Sequence, residues 1–194
     1  MKSAYSTLPE GFVEAYSVDL QKNKRQMLTV NGLAIVIMLA MLIPALVLNP
    51  IRIDFSESGA LGNLSLNCLI AALGTVVYIV LHELTHGVFM RAFSKERVKY
   101  GFTGMYAYAG SEAYFPVPQY IIIALAPVVI WGIALLLLNL FLPLSVFWGV
   151  YFIQLENISG AAGDFYVTVR FLREKRDVLI QDSGVSMRVF AKKD

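Results

Sequence analysis

Four long apolar runs limit what this chain can fold into. They cover about residues 28–48, 64–93, 119–141 and 144–172. A helix needs roughly 20 apolar residues to cross the hydrocarbon core of a bilayer, which is about 30 Å thick. Only 15% of the residues are charged, against about 25% in a typical soluble domain. The sequence therefore predicts an all-α membrane protein with four transmembrane helices, forming one domain over residues 1–194.

Basic residues predict the orientation of these helices. They precede the first run at 22–25, follow the second at 91–99 and end the fourth at 170–176. Because Lys and Arg are enriched on the cytoplasmic flanks of membrane helices, both termini are predicted to be cytoplasmic. The net charge of +2 is too small to indicate a nucleic-acid partner.

The second run carries three ionisable residues within five positions, in the sequence His-Glu-Leu-Thr-His. His82 and His86 lie four residues apart, so a helix places them on one face, where both imidazoles can bind one ion. Glu83 lies about 100° further round the helix and can flank that ion. A charged group at the centre of a membrane helix costs roughly 2.5 to 3.5 kcal/mol. This cost favours a functional site over a chance cluster.

The residue types predict a particular chemistry. Zinc bound by two imidazoles and a carboxylate keeps a fourth position for water, lowers the pKa of that water to about 7 and polarises a carbonyl. Glu83 is then the predicted general base. The reaction predicted is metal-assisted hydrolysis.

A third ligand follows by elimination. The chain has two histidines, so the third ligand has to be a carboxylate, Cys68 or a residue of another chain. On a continuous helix Cys68 is about 21 Å from His82. Asp164 lies roughly 9 Å before the basic end of its run, close to the 8 to 14 Å of the histidines, whereas Glu156 lies about 12 Å deeper. We therefore predict one zinc ion on His82, His86 and Asp164.

Asn157 is a second candidate catalytic residue beside Glu83. Positions 157, 160, 161 and 164 follow the i, i+3, i+4, i+7 spacing of one helix face, so Asn157 shares a face with Asp164. Two interpretations stay open: the amide can donate a hydrogen bond to the substrate or the oxyanion, or it can satisfy a neighbouring helix. Glu156 receives no role.

Two segments outside the apolar runs have the pattern of strands. Residues 94–118 carry aromatic side chains at even spacing with glycines between them, which predicts a short hairpin at the membrane interface. This loop is either an aromatic anchor or an edge strand that pairs with an extended substrate. The tail from Asp177 predicts a small hairpin around Asp182-Ser183-Gly184, with no assigned role.

These residues resemble a known family. Segment 82–87 (His-Glu-Leu-Thr-His-Gly) in one membrane helix, with segment 157–164 (Asn-Ile-Ser-Gly-Ala-Ala-Gly-Asp) in a later one, is similar to the small bacterial and archaeal membrane proteins described as putative zincin peptidases. More distantly it is similar to the site-2 intramembrane zinc metalloproteases. The resemblance covers most of the chain. It implies a zinc site of His82, His86 and Asp164 with Glu83 as base.

One residue departs from the pattern of the more distant group. Site-2 proteases usually place the metal-binding aspartate in a Leu-Asp-Gly or Asn-Pro-Asp-Gly setting, whereas here Gly163 precedes Asp164. The equivalence of Asp164 therefore depends on its depth and its place in the chain.

The predicted function is that of an intramembrane zinc metallopeptidase. Its partners would be the lipid bilayer and a membrane-protein or peptide substrate, cleaved near the cytoplasmic side of the cell membrane. The alternative is a non-hydrolytic membrane protein that binds or transports a divalent metal through the same residues. A third hypothesis is a structural subunit with a vestigial motif. The sequence does not indicate the oligomeric state.

Overall fold

The computed structural model describes residues 4–19, 22–51, 60–104, 106–174 and 177–193. The helices are α1 Lys24–Leu48, α2 Ala60–Ser94, α3 Val117–Phe141, α4 Phe147–Gly160 and α5 Ala162–Leu172, with one turn of 3-10 helix at Leu144–Val146. The strands are β1 Phe12–Val18, β2 Val98–Phe102, β3 Ala107–Ser111, β4 Phe115–Pro116, β5 Val178–Asp182 and β6 Met187–Lys192.

Helices α1, α2 and α3 are long and apolar enough to cross a membrane. They leave large apolar side chains such as Leu61, Val76 and Leu140 exposed. Contiguous exposed apolar surface of this kind is typical of contact with lipid, and a helix satisfies its own backbone hydrogen bonds there. The first three predicted membrane helices, at 28–48, 64–93 and 119–141, are confirmed as long apolar helices.

The fourth predicted run, 144–172, does not form one continuous helix. It divides into the 3-10 turn, α4 and α5, and the break falls at Ala161, whose ψ of 14° is outside the helical range. Gly160 and Gly163 flank the break, and glycine costs a helix about 1 kcal/mol relative to alanine. The hydroxyl of Ser159 also donates to the carbonyl of Leu155, a bond that often bends helices. The count of four membrane crossings stays a prediction.

The predicted label "all-α" is too narrow, because the chain also contains two small antiparallel sheets. One has the strand order β1-β6-β5-β4, and the other pairs β2 with β3. The two predicted hairpins, in the aromatic loop and in the tail, are confirmed by the β2–β3 and β5–β6 pairs. Strand β1 was missed because its partner, β6, lies at the opposite end of the chain.

The structure divides into two compact units. The first, here called the sheet unit, comprises Met1–Val30, Val80–Pro127 and Gly163–Asp194, and the second, the helical unit, comprises Asn31–Ile79 and Val128–Ala162. In the helical unit, Tyr78, Leu135, Val150 and Ile153 form a small apolar core.

The core of the sheet unit draws on both helices and strands. Met90 of α2, Ile123 of α3, Phe171 of α5 and Ile180 of β5 are almost completely buried within it. Close packing fixes the positions of buried side chains. Segments of three helices are therefore held against one sheet, and α2 and α5 among them carry the candidate site.

Candidate metal centre

The sheet unit brings together two histidines of α2 and one aspartate of α5. The Nε2 atoms of His82 and His86 are 3.1 Å apart. Oδ2 of Asp164 lies 3.6 Å from Nε2 of His82, and Oδ1 lies 3.7 Å from Nε2 of His86. Helix α2 is continuous across this segment, so the four-residue spacing places the two imidazoles on one face, where they meet edge-on with ring centroids 4.8 Å apart. The three predicted ligand residues are therefore adjacent in the structure.

The geometry of this cluster fits a tetrahedral zinc ion. With zinc–ligand bonds of about 2.0 to 2.1 Å, neighbouring ligand atoms are separated by about 3.3 Å. The separations of 3.1, 3.6 and 3.7 Å bracket that value, although the last two involve different oxygens of the Asp164 carboxylate. With one ligand atom taken from each residue, all three atoms lie within 4.8 Å of one another. Among the residues that the structure describes, this is the group of three potential ligands that can hold a metal ion.

A backbone carbonyl orients one of the two imidazoles. Nδ1 of His86 lies 2.8 Å from the carbonyl oxygen of Ile123 in α3, and a carbonyl can only accept, so Nδ1 carries the proton. The lone pair of a neutral ring is then on Nε2, the atom that faces Asp164. Histidine ligands of metals commonly donate their other nitrogen in this way, so the tautomer suits metal binding.

Glu83 lies beside the cluster and is held by strand β3. Its carboxylate accepts a hydrogen bond from the backbone N–H of Ala109. Ala109 pairs with Tyr100 of β2, and the hydroxyl of Tyr100 lies against Gly87, where a Cβ atom would overlap it. Glu83 and Gly87 are four residues apart on one face of α2. The β2–β3 hairpin therefore contacts the face of α2 that carries Glu83.

Asn157 is not part of this cluster of side chains. It is completely buried in the helical unit, where its Oδ1 accepts a hydrogen bond from the hydroxyl of Tyr78 and its Nδ2 donates to the carbonyl of Val128. Both polar ends of the amide are therefore bonded to helix residues. This arrangement is the one expected if Asn157 satisfies a neighbouring helix. A catalytic role for Asn157 stays a prediction. Glu156, in the same unit, accepts a hydrogen bond of 2.6 Å from Thr75.

Asp182 is a buried acid that the sequence placed in a turn without a role. It ends β5, and its carboxylate accepts hydrogen bonds from the hydroxyl of Tyr120 and the N–H of Gly184. Burial raises the pKa of Asp182 above its usual value, although these two hydrogen bonds oppose the rise. Charged residues stand out in an apolar membrane helix and so indicate a site there. An aspartate in the turn of a short hairpin is common, so the sequence did not single out Asp182.

The fold and the cluster define a class: a largely helical protein with helices suited to a membrane and a His-His-Asp group able to hold a metal ion. The chain belongs to the family described as putative zincin peptidase, which matches residues 75–179. The resemblance to this family is thereby confirmed, and zincins are zinc metallopeptidases. No curated protein and no solved structure matches the chain.

Proposed function

We propose that this protein is an intramembrane zinc metallopeptidase of the His-Glu-x-x-His type, similar to the site-2 proteases. The observation that carries this proposal is the convergence of His82, His86 and Asp164, which offer one ligand atom each within 4.8 Å of one another. Three such side chains at the ends of apolar helices are costly unless they have a function. Membership of the zincin family supports the same reaction class.

In this proposal His82, His86 and Asp164 hold one zinc ion through Nε2, Nε2 and the carboxylate. When bound, zinc supplies a Lewis acid that polarises the peptide carbonyl and makes a water molecule more acidic. The ligand side chains are 12 to 21% exposed, so the site is shielded from bulk solvent yet remains accessible to a substrate.

Glu83 acts as the general base. It takes a proton from the attacking water and passes it to the amine that leaves when the peptide bond breaks. The Ala109 N–H bonds to its carboxylate, which limits the orientations that the carboxylate can adopt. A base has to lie within hydrogen-bond reach of the proton that it removes, so this restraint favours a productive geometry.

The substrate is proposed to be a membrane-associated or transmembrane segment that binds in extended form. A peptide bond inside a helix is shielded by the hydrogen bonds of that helix, so the segment has to unwind. Strand β3 pairs with β2 along one edge, and its Ala109 N–H is directed to Glu83 on the other. An extended segment that adds to this second edge would pass beside the base.

The proposed topology has four membrane crossings, with α4 and α5 together forming the fourth and both termini in the cytoplasm. Basic residues at 22–25, 91–99 and 170–173 would then lie on the cytoplasmic side, as the positive-inside rule expects. The active site would lie in the cytoplasmic half of the bilayer.

The test combines metal content with cleavage of a membrane-tethered reporter. Wild type, Glu83→Gln, His82→Ala and Asp164→Ala are purified and measured by elemental analysis, and each is assayed on the reporter. Glu83→Gln is expected to retain zinc and lose cleavage, and the two ligand variants to lose both. Glu156→Gln, which changes a carboxylate of the helical unit, is the matched control and is expected to cleave.

The same variants distinguish the peptidase from the alternative function, metal binding or transport without hydrolysis. If zinc-loaded wild type cleaves no reporter, and Glu83→Gln moves a divalent metal into liposomes as fast as wild type, the protein binds or transports metal without hydrolysis. Cleavage that persists in Glu83→Gln would contradict the role of Glu83 as base.

A further inference from the structure

Tyr120 is anchored at both ends of its side chain. Its hydroxyl donates a hydrogen bond of 2.5 Å to Oδ2 of Asp182. Its ring packs edge-on against Phe171 of α5, with the ring centroids 5.5 Å apart. Tyr120 is 2% exposed and Phe171 is 1% exposed. A buried side chain with both a polar and an apolar anchor has little freedom to move.

The elements joined by Tyr120 carry parts of the metal centre. In α3, Ile123 follows Tyr120 by three residues, and its carbonyl accepts the hydrogen bond from Nδ1 of His86. In α5, Phe171 follows Asp164 by seven residues, and this spacing places both on one helix face. A shift of Tyr120 would therefore disturb the carbonyl that orients His86 and the helix that carries Asp164.

Asp182 is itself held by the turn between β5 and β6. Its Oδ1 accepts a hydrogen bond of 2.8 Å from the N–H of Gly184, whose φ of +85° is in the left-handed region. The backbone of Ser183 and Gly184 lies so close to Gly110 of β3 that a Cβ atom there would overlap it. The turn thus packs behind the strand whose Ala109 N–H bonds to Glu83.

We propose that the Tyr120–Asp182 pair positions the metal centre by fixing the Ile123 carbonyl and the start of α5 relative to the histidines of α2. Both are positioning residues, because they act through Ile123 and Phe171. Asp182 lies beyond the segment 75–179 that matches the family. The inference rests on the zinc site of the proposed function, and it does not depend on peptide hydrolysis.

Three variants test this role. Tyr120→Phe removes the hydroxyl and keeps the ring, and Asp182→Ala removes the acceptor. Each is expected to weaken zinc binding about tenfold, at the lower end of the 10 to 100-fold range for groups behind metal ligands. Asp182→Asn is expected to bind zinc like wild type, because an amide can accept from Gly184 and donate to the Tyr120 oxygen.

The matched control is Tyr114→Phe, whose ring packs against Phe190 in the same unit. Zinc affinity is measured for full-length protein in detergent by competition with a chromophoric chelator. The visible spectrum of Co²⁺-loaded protein reports changes in ligand geometry, and thermal unfolding of metal-free protein reports stability. A spectral change in Tyr120→Phe but not in Tyr114→Phe would support the positioning role.

The inference is overturned if Tyr120→Phe binds zinc as tightly as wild type with an unchanged Co²⁺ spectrum. It is also overturned if Asp182→Asn binds zinc as weakly as Asp182→Ala, because the charge of the carboxylate would then matter rather than its position. If Asp182→Ala does not fold, Tyr120→Phe and Asp182→Asn decide the question. Zinc-loaded wild type that cleaves nothing would reject the peptidase and leave this inference standing.

Discussion

Oδ2 of Asp164 lies 3.6 Å from Nε2 of His82, although the two residues belong to helices at distant points of the chain. The aspartate is in the first turn of α5, just after the break that separates α5 from α4. Asp164, His82 and His86 all belong to the sheet unit.

Removal of the Asp164 carboxylate should abolish tight metal binding. Two imidazoles alone leave zinc with one protein ligand fewer, so Asp164→Ala is expected to bind zinc at least about 100-fold more weakly, beyond the range for groups behind the ligands. Competition with a chelator measures this loss. Asp164→Glu keeps the charge but moves it, so its zinc affinity should lie between those of wild type and Asp164→Ala. Unchanged zinc affinity in Asp164→Ala would exclude this residue as a ligand.

A side chain at Gly87 should disturb the hairpin beside Glu83. The new Cβ atom would overlap the Tyr100 hydroxyl. Because Tyr100 is 49% exposed, its ring can shift, and the cost is expected to be below the roughly 1 to 3 kcal/mol of overpacking in a core. Both Gly87→Ala and Gly62→Ala gain the higher helix propensity of alanine, so Gly87→Ala should unfold at a lower temperature than Gly62→Ala, and adding Tyr100→Ala should recover part of the difference. Gly62→Ala, also in α2, meets nothing within 4 Å and is the control. Equal stability of the two alanine variants would contradict the contact.

The two interpretations of Asn157 predict different turnover in Asn157→Ala, and Tyr78→Phe is the reference variant. Tyr78→Phe removes the donor to Oδ1 of Asn157, and leaving a buried acceptor unsatisfied costs about 1 to 3 kcal/mol. We expect a lower unfolding temperature with unchanged zinc content and unchanged turnover per folded molecule. Asn157→Ala should be destabilised further, because it also removes the bond to the Val128 carbonyl.

Turnover in Asn157→Ala, measured per folded molecule, then decides between a catalytic role and a packing role for the amide. A loss confined to Asn157→Ala would indicate that the amide acts on the substrate. Turnover equal to that of Tyr78→Phe would leave Asn157 with its packing role.

Asp182 should give the stability of metal-free protein a characteristic pH dependence. Burial raises its pKa in the folded state, so the folded state binds this proton more tightly than the unfolded chain, whose Asp pKa is about 3.9. The resulting stabilisation is complete below the unfolded pKa and is lost as pH rises through the folded pKa. Because Asp182→Asn does not titrate, its stability relative to wild type should increase from about pH 4 upward.

Glu112 provides the control with the opposite sign. Its hydrogen bond and charge interaction with Lys99 lower the pKa of Glu112, so its stabilisation is present above the unfolded pKa and is lost as pH falls through the folded pKa. Glu112→Gln should therefore lose stability relative to wild type as pH rises through the same range. Thermal unfolding of both variants across pH measures the two trends. Parallel trends would contradict the burial of the Asp182 charge.

The sequence by itself determined three long apolar helices, the placement of His82 and His86 on one helix face, the neighbouring Glu83 and the two hairpins. These features depend on local periodicity: a run of apolar residues sets the length of a helix, and the 3.6-residue turn decides which side chains share a face. The choice of Asp164 over Glu156 followed from position along the helix, and the structure does bring Asp164 to the histidines.

Only the tertiary structure decided how this site is supported. The Ile123 carbonyl and the Ala109 N–H are backbone groups, which every residue type except proline possesses in full, so no residue pattern marks them. The pairing of β1 with β6 and the bond between Tyr120 and Asp182 join segments far apart in sequence. Long-range packing selects such contacts, because each depends on where the rest of the chain has placed its partner.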